Sequence, residues 1–297
     1  MERKPINDKM RNNLSTNNNG ILNTGQIQID RDTTVCISIA ASPGNFGATF
    51  HNSAYCLLRL NWVYLPRKVK TLSELQIVIK AVRVLGIKGC SVSMPHKENV
   101  MQYLDCIDPS AEKIGAVNTI KLQDDGSLMG FNTDFYGAKK ALEQAVIEGE
   151  KVVMVGAGGV AKAIGLAVTE LGGELIIANR TTEKAQQLAK KLNATAILLE
   201  QLNDATGHLL INATSVGMRD PDSMVVSEQV IKRFDIVKDA VIYPSRTKLL
   251  KEARKTGKQV IPGTLMCVYQ AAEQFRIYTG HDAPSEIISR TLETLTK

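Results

Sequence analysis

The stretch VVMVGAGGVAKAI, residues 152–164, decides the fold of this 297-residue chain. Its apolar half predicts a buried strand, and Gly156, Gly158 and Ala161 follow with the spacing G-x-G-x-x-A at the start of a helix. Glycines at these positions permit a tight turn and let the backbone approach a pyrophosphate, which the free N–H groups of a helix terminus bind. The strand–loop–helix–strand context favours a Rossmann dinucleotide site over a glycine turn in an α/β domain without a nucleotide. The residues expected to contact the cofactor here are Gly156, Gly158, Gly159 and Val160.

The end of the following strand, ELIIANR, predicts which nucleotide is bound. NAD sites usually place an acidic residue there, where it holds the ribose hydroxyls. This strand ends instead in Asn179, Arg180 and Thr181, and Lys184 follows. Arg180 and Lys184 can bracket a 2′-phosphate while Thr181 donates a hydrogen bond, which favours NADP(H). Glu183 lies between them and counts against this interpretation, and a solvated helix start with incidental charges is the alternative.

Composition excludes several classes of protein. Apolar residues make up 44% and charged residues 22%, which is ordinary globular usage. The net charge is +6, but the basic residues are scattered, so we expect a surface that attracts anionic small molecules and no nucleic-acid partner. No apolar run approaches the roughly 20 residues of a membrane span, and the N-terminus lacks the apolar core of a signal peptide. We therefore expect a cytoplasmic protein without a membrane partner, either monomer or homodimer.

Cysteines and histidines give no sign of a disulfide framework or a metal site. The five cysteines are far apart and form no C-x-x-C pair, which favours reduced thiols. The four histidines are equally dispersed, so we expect no metal.

Strands alternating with helices predict an α/β fold of two domains with mostly parallel sheets. Residues 1–30 are polar and rich in Asn, which predicts a flexible tail. The capping sequence Asn132-Thr133-Asp134 marks the boundary between a substrate domain, residues 31–132, and the Rossmann domain, residues 133–264. The closing helices, in residues 265–297, are long enough to return to the first domain. Two further expectations are a helix opening at Pro95 and a strand over DAVIY, residues 239–243.

Seven segments, in order, carry a family resemblance: SVSMPHK, IGAVNTI, GFNTDFYGA, GAGGVAKAI, NRTTEKA, INATSVGM and GTLMCVYQAAEQF. Together they resemble the signature segments of the shikimate dehydrogenases over roughly residues 34–297. The resemblance implies that Lys97 and Asp134 are the paired catalytic residues. Reducing a ketone needs a hydride from the nicotinamide and a proton for the new alkoxide, which a lysine beside an aspartate can supply. Taken alone, Lys97 would be read as a surface lysine and Asp134 as a helix cap.

The same resemblance implies further contacts. Asn118 and Gln270 match residues that hydrogen-bond substrate hydroxyls, and Ser93 matches a threonine beside the substrate. Met266 matches a position near the nicotinamide, although core packing explains it equally well, and Gly263 of the same segment is expected to bind the cofactor.

Two motifs depart from the family pattern. The family carries S-x-S-P before His-Asn, and its two serines grip the substrate carboxylate; here those positions hold Asn45, whose amide can still donate, and Gly47. In the pattern D-x-x-Y-x-P-x-x-T, the tyrosine position holds Ile242, and Tyr243 comes one residue late. If this segment is a strand, Tyr243 points to the opposite face.

Together with the cofactor motif, the resemblance implies reversible, NADP-dependent reduction of 3-dehydroshikimate to shikimate, or of a closely related cyclic keto acid. The departures place the chain nearest the divergent shikimate dehydrogenase-like branch. The alternatives are a quinate or other polyol-acid dehydrogenase, and a catalytically weak ligand-binding sensor of the same fold.

Overall fold

The computed structural model describes residues 29–296 and the backbone of two short strands before them, β1 (Ser15–Thr16) and β2 (Leu22–Asn23), which pair antiparallel. Apart from these two strands and residues 29–30, the predicted flexible tail, residues 1–30, lies outside the described residues.

A mixed six-stranded sheet forms the first domain, with strand order β4-β3-β5-β7-β8-β6. Strands β4, β3 and β5 are parallel, and the predicted hairpin β7–β8 adds antiparallel to β5. Alternation along β3 sends Ile37 and Ile39 into the core under α2, while Cys36 faces α1 and α9. The bounds are β3 Thr34–Ala40, α1 Phe46–Leu57, β4 Trp62–Lys68, α2 Leu72–Val84, β5 Gly89–Val92, β6 Cys106–Ile107, α3 Pro109–Ile114, β7 Thr119–Leu122 and β8 Leu128–Phe131.

The prediction of a helix that begins at Pro95 is wrong. The chain makes turns there and then a 3₁₀ segment, Asn99–Tyr103. The reason is that the Lys97 carbonyl accepts a hydrogen bond from Val117 N at 2.8 Å, so the α-helical ladder does not use it. His96 is buried, with its Nε2 2.9 Å from the Val69 carbonyl. Tertiary contacts hold this loop in place of a helix.

A fully parallel sheet forms the second domain, with strand order β11-β10-β9-β12-β13-β14. Numbered within the domain, the order is 3-2-1-4-5-6, the doubly wound order of dinucleotide-binding folds. Both faces of β9 are buried, since Val152 and Met154 enter one core and Val153 and Val155 the other. The bounds are β9 Lys151–Val155, α5 Gly159–Glu170, β10 Glu174–Ala178, α6 Thr182–Leu192, β11 Thr195–Ile197, β12 Leu209–Asn212, α7 Glu228–Ile231, β13 Ile236–Asp239, α8 Lys248–Lys255 and β14 Gln259–Ile261, with 3₁₀ turns at Glu143–Ala145 and Leu199–Asp204.

The prediction of a strand over residues 239–243 is also wrong, because β13 ends at Asp239. The Asp239 carboxylate accepts hydrogen bonds from Val241 N at 3.0 Å and from Thr247 Oγ1 at 2.7 Å, which turns the chain away from the ladder. Ile242 and Tyr243 therefore lie in a loop, and Tyr243 is 82% exposed.

Two long helices join the cores. Helix α4 (Thr133–Leu142) and helix α9 (Gly263–Thr279) pack so closely that a Cβ on Gly137 would collide with the Met266 carbonyl. Met266 packs in the Rossmann core, whereas Phe275 packs in the first domain, and α10 (Ser285–Thr296) packs there as well. The predicted return of the C-terminal helices is confirmed, as is the two-domain α/β fold class. The predicted boundaries, 31–132 plus 265–297 and 133–264, fall at the start of α4 and two residues into α9, and they remain predictions.

None of the helices in the described part of the chain is long and apolar enough to cross a membrane.

Candidate active site

Lys97 and Asp134 meet although 36 residues separate them in the chain. Lys97 Nζ lies 2.6 Å from Asp134 Oδ2, and the Asp134 side chain is 12% exposed. The turn after β5 carries Lys97, and the first turn of α4 carries Asp134, whose helix is capped by the Asn132 side chain. The pair predicted from sequence is therefore in hydrogen-bond contact, at the place where the two domains join.

Asn118 lies beside this pair with one group unused. Its Oδ1 accepts hydrogen bonds from Thr133 N at 2.8 Å and from Thr119 Oγ1 at 2.9 Å. Its Nδ2 is buried and has no hydrogen-bond partner among the described residues. A buried amide donor without a partner costs free energy, so it is suited to a ligand acceptor.

The other predicted substrate residues are accessible. Asn45 precedes α1 and is exposed, and its side chain makes no capping bond within the described chain. Ser93 follows β5 and is exposed, with its N–H donating to the Ile39 carbonyl. Gln270 is partly buried on α9, one turn beyond Met266.

The predicted pyrophosphate loop is the short turn between β9 and α5. Gly156 has φ +123°, and a Cβ there would lie 2.7 Å from the Ala213 carbonyl, so the turn requires glycine. At Gly158 and Gly159, a Cβ would meet no described atom within 4 Å. Val160 follows in the first turn of α5, whose N-cap, Gly158, has no side chain with which to cap it. The helix terminus thus presents backbone donors to open space.

The predicted 2′-phosphate residues lie together at the end of β10. Asn179 Nδ2 donates to the Thr181 carbonyl at 2.9 Å, which shapes the turn into α6. Arg180, Thr181 and Lys184 are exposed, and neither cation forms an ion pair with a described residue. The turn therefore offers two cations and a hydroxyl to an anion.

The start of α9 approaches the Rossmann sheet closely. A Cβ on Gly263 would collide with the Val241 carbonyl, so backbone contact accounts for this glycine. Met266 is 5% exposed and packs in the core. The neighbouring Cys267 thiol has a pKa raised to about 12, mainly by burial and to a smaller extent by the Asp134 carboxylate. The thiol therefore stays protonated at neutral pH.

His51, by contrast, is a packing residue. It is fully buried between aromatic rings and stacks on the Tyr64 ring. Burial lowers its pKa to about 3, so the ring is neutral. No cluster of three or more His, Cys, Asp or Glu side chains suited to a metal occurs in the described part of the chain.

Comparison with known proteins identifies the family. The model of the shikimate dehydrogenase substrate-binding domain matches residues 39–120, that of shikimate/quinate 5-dehydrogenase matches 137–237, and that of the shikimate 5′-dehydrogenase C-terminal domain matches 263–293. The chain belongs to the shikimate dehydrogenase family. The resemblance seen in the sequence is confirmed.

Individual relatives are similar to this member of the shikimate dehydrogenase family over most of its length. A shikimate dehydrogenase-like protein of Haemophilus influenzae is 39% identical, over 87% of this chain and 94% of the relative. A shikimate dehydrogenase (NADP(+)) of Methanothermobacter thermautotrophicus is 38% identical, over 82% and 89%. A solved shikimate dehydrogenase in complex with NADP⁺ superposes with TM-score 0.81 at 36% identity, covering 91% of this chain and 98% of that one.

The departure from the family's serine pair has a structural counterpart. A Cβ on Gly47 would lie 3.1 Å from the Tyr64 hydroxyl, so a tyrosine borders the space that a side chain would take. Tyr64 and its partner Ser91 were not predicted as site residues. The alternation of β5, which places Ser91 and Ser93 on one face, is the sequence signal that indicates Ser91.

Proposed function

We propose that this protein is an NADP-dependent shikimate dehydrogenase, which interconverts 3-dehydroshikimate and shikimate, with Lys97 and Asp134 as its catalytic residues. The observation that carries the proposal is the 2.6 Å contact between Lys97 Nζ and Asp134 Oδ2, formed by two elements distant in sequence. Family membership and an NADP(+)-dependent relative at 38% identity support the reaction and the cofactor.

The pair supplies the proton chemistry. Bound NADPH supplies the hydride that reduces the ketone carbon. In that direction the Lys97 ammonium hydrogen-bonds the ketone oxygen and donates the proton that the forming alkoxide needs. Asp134 orients the ammonium and stabilises its charge. In the reverse direction Lys97 accepts the hydroxyl proton.

The remaining site residues would bind and orient the substrate and the cofactor. The Asn118 Nδ2 donor, unpartnered among the described residues, would hold a substrate hydroxyl, joined by Gln270, Ser93 and Asn45. The Gly156–Val160 loop and the α5 terminus would hold the pyrophosphate. Asn179, Arg180, Thr181 and Lys184 would hold the adenosine 2′-phosphate, and Gly263 and Met266 would border the nicotinamide.

The test follows the formation of NADPH or NADH by absorbance. Shikimate and quinate are each assayed as substrates with NADP⁺ and with NAD⁺. We expect the highest kcat/KM for shikimate with NADP⁺. Turnover of quinate but not of shikimate would make the protein a quinate dehydrogenase. Binding of shikimate without turnover would favour a ligand-binding sensor. A cytoplasmic location and a monomer or homodimer belong to the same proposal, and gel filtration tests the assembly.

A further inference from the structure

Three hydroxyl groups meet on the face of the first sheet that carries α1 and α9. The Tyr64 hydroxyl donates to Ser91 Oγ at 2.7 Å, and the Tyr278 hydroxyl lies 3.0 Å from the same Oγ. Tyr64 and Tyr278 are each 2% exposed, whereas Ser91 is only partly buried. We call these three residues the hydroxyl triad.

The triad has a hydrogen-bond donor to spare. Three hydroxyls carry three protons, and the two bonds between them use two. When both tyrosines donate to Ser91 Oγ, the serine proton is left over, and Ser91 is the least buried member of the triad. Accepting two hydrogen bonds polarises the serine O–H and makes it a stronger donor.

Tyr64 is held rigidly in this arrangement. Asn52 pairs with its backbone twice, since Asn52 Nδ2 donates to the Tyr64 carbonyl at 3.0 Å and Tyr64 N donates to Asn52 Oδ1 at 2.8 Å. The His51 ring stacks on the Tyr64 ring with centroids 4.5 Å apart. Gly47 leaves the hydroxyl its room, because a Cβ there would lie 3.1 Å from it. A donor fixed in advance loses little entropy on binding a ligand.

Polar side chains of the neighbouring strand lie between the triad and the Lys97–Asp134 pair. Ser91 is the register partner of Thr119 in β7, and Thr119 Oγ1 lies 3.0 Å from Thr133 Oγ1, next to Asp134. Neighbouring strands are about 5 Å apart, so the step from β5 to β7 together with the 3.0 Å contact between Thr119 and Thr133 has the scale of a substituted six-membered ring with a hydrogen bond at each end. A cyclic keto acid whose ketone lies at Lys97 would thus extend its carboxylate toward the triad.

We propose that Ser91, positioned by Tyr64 and Tyr278, binds the substrate carboxylate and makes the enzyme specific for the acid. This inference rests on the proposed function, which supplies the cyclic acid. Neither lysine nor arginine bonds to the triad within residues 29–296, so the recognition uses neutral donors. The hydroxyl absent at Gly47 is thereby supplied from the neighbouring strands.

The test compares shikimate with its neutral methyl ester in the wild type and in Ser91→Ala and Tyr64→Phe, with NADP⁺ as cofactor. Hydrogen bonds to a charged acceptor are stronger than those to a neutral one. We therefore expect each variant to raise the KM for shikimate about 10-fold or more and the KM for the ester only a few-fold, with kcat changed less than KM. Tyr55→Phe is the matched control, because it removes a buried hydroxyl of the same aromatic cluster that does not hydrogen-bond to the triad.

The outcomes separate the two proposals. A larger loss with the acid than with the ester, absent in Tyr55→Phe, supports the carboxylate site. An active wild type in which Ser91→Ala and Tyr64→Phe leave the acid-to-ester KM ratio unchanged overturns the carboxylate site and leaves the dehydrogenase proposal standing. A wild type that binds NADP⁺ but neither binds nor oxidises shikimate overturns both.

Discussion

The hydroxyl of Tyr64 lies 3.1 Å from the position that a Cβ on Gly47 would take, and two of its ring carbons lie 3.2 and 3.3 Å from it. Gly47 is not among the residues with positive φ, so a serine there is not excluded by the backbone. The obstacle to a side chain is Tyr64, which would have to move by a few tenths of an ångström. Residue 47 and Tyr64 therefore cannot be changed independently.

We expect Gly47→Ser alone to raise the KM for shikimate, because the new side chain pushes Tyr64 away from Ser91. In a Tyr64→Phe background the same serine replaces the lost hydroxyl, so the double variant should have a lower KM than Tyr64→Phe. Steady-state kinetics on the three variants measures this coupling. Gly44→Ser is the control, since a Cβ there meets no described atom within 4 Å. Additive effects of the two substitutions would contradict the coupling.

Lys97→Ala should lower kcat by about 10²- to 10⁴-fold, the usual contribution of general acid–base catalysis. NADP⁺ affinity, measured by titration, should be almost unchanged, because the loop carrying Lys97 lies in the other domain. Lys113→Ala, on the exposed face of α3, should leave both quantities unaltered. Near-normal kcat in Lys97→Ala would remove this residue from the mechanism.

Arg180→Ala should raise the KM for NADP⁺ far more than that for NAD⁺. A charge-assisted bond to phosphate contributes about 1.5–3 kcal/mol, which corresponds to roughly 10- to 150-fold. The KM for NAD⁺ in the same variant serves as the control, since NAD⁺ lacks the 2′-phosphate. Equal losses with the two cofactors would show that Arg180 acts on the fold of the turn.

Lys238→Met should stabilise the protein at neutral pH. Lys238 is fully buried in β13, its Nζ has no hydrogen-bond partner among residues 29–296, and burial lowers its pKa to about 8. Because the folded pKa lies below the unfolded value of 10.5, folding is disfavoured by this group below pH 8 and less so as the pH rises to 10.5. Methionine removes the charge and keeps most of the volume.

Urea unfolding at pH 7 and pH 10 measures the effect of Lys238→Met. We expect a gain of about 1–3 kcal/mol at pH 7, from the 1.36 kcal/mol that one pKa unit represents, and a smaller gain at pH 10. Lys251→Met, on the exposed face of α8, should change stability little at either pH. A gain for Lys238→Met that is the same at both pH values would mean that packing, and not charge, is responsible.

The sequence by itself determined the Rossmann domain, the order of its elements along the chain and the start of the helix that carries Asp134. These features follow from local rules: a buried strand reads as a continuous apolar run, Gly156 is required by its backbone conformation, and Asn132 caps the helix that carries Asp134. The family motifs then identified Lys97, which no local rule distinguishes from a surface lysine.

Tertiary structure alone decided the loop at residues 95–98, the end of β13 and the hydroxyl triad. Val117 N occupies the Lys97 carbonyl, a contact that no local pattern shows, and the Asp239 carboxylate turns its own chain through bonds to Val241 and Thr247. These hydrogen bonds overrode the helix and strand preferences. Tyr64, Ser91 and Tyr278 come from two strands and a C-terminal helix, and their meeting depends on sheet order and on the return of α9. A sequence specifies which groups a chain carries, but the distances between them, on which hydrogen bonding depends, are fixed only when the strands pair and the helices pack.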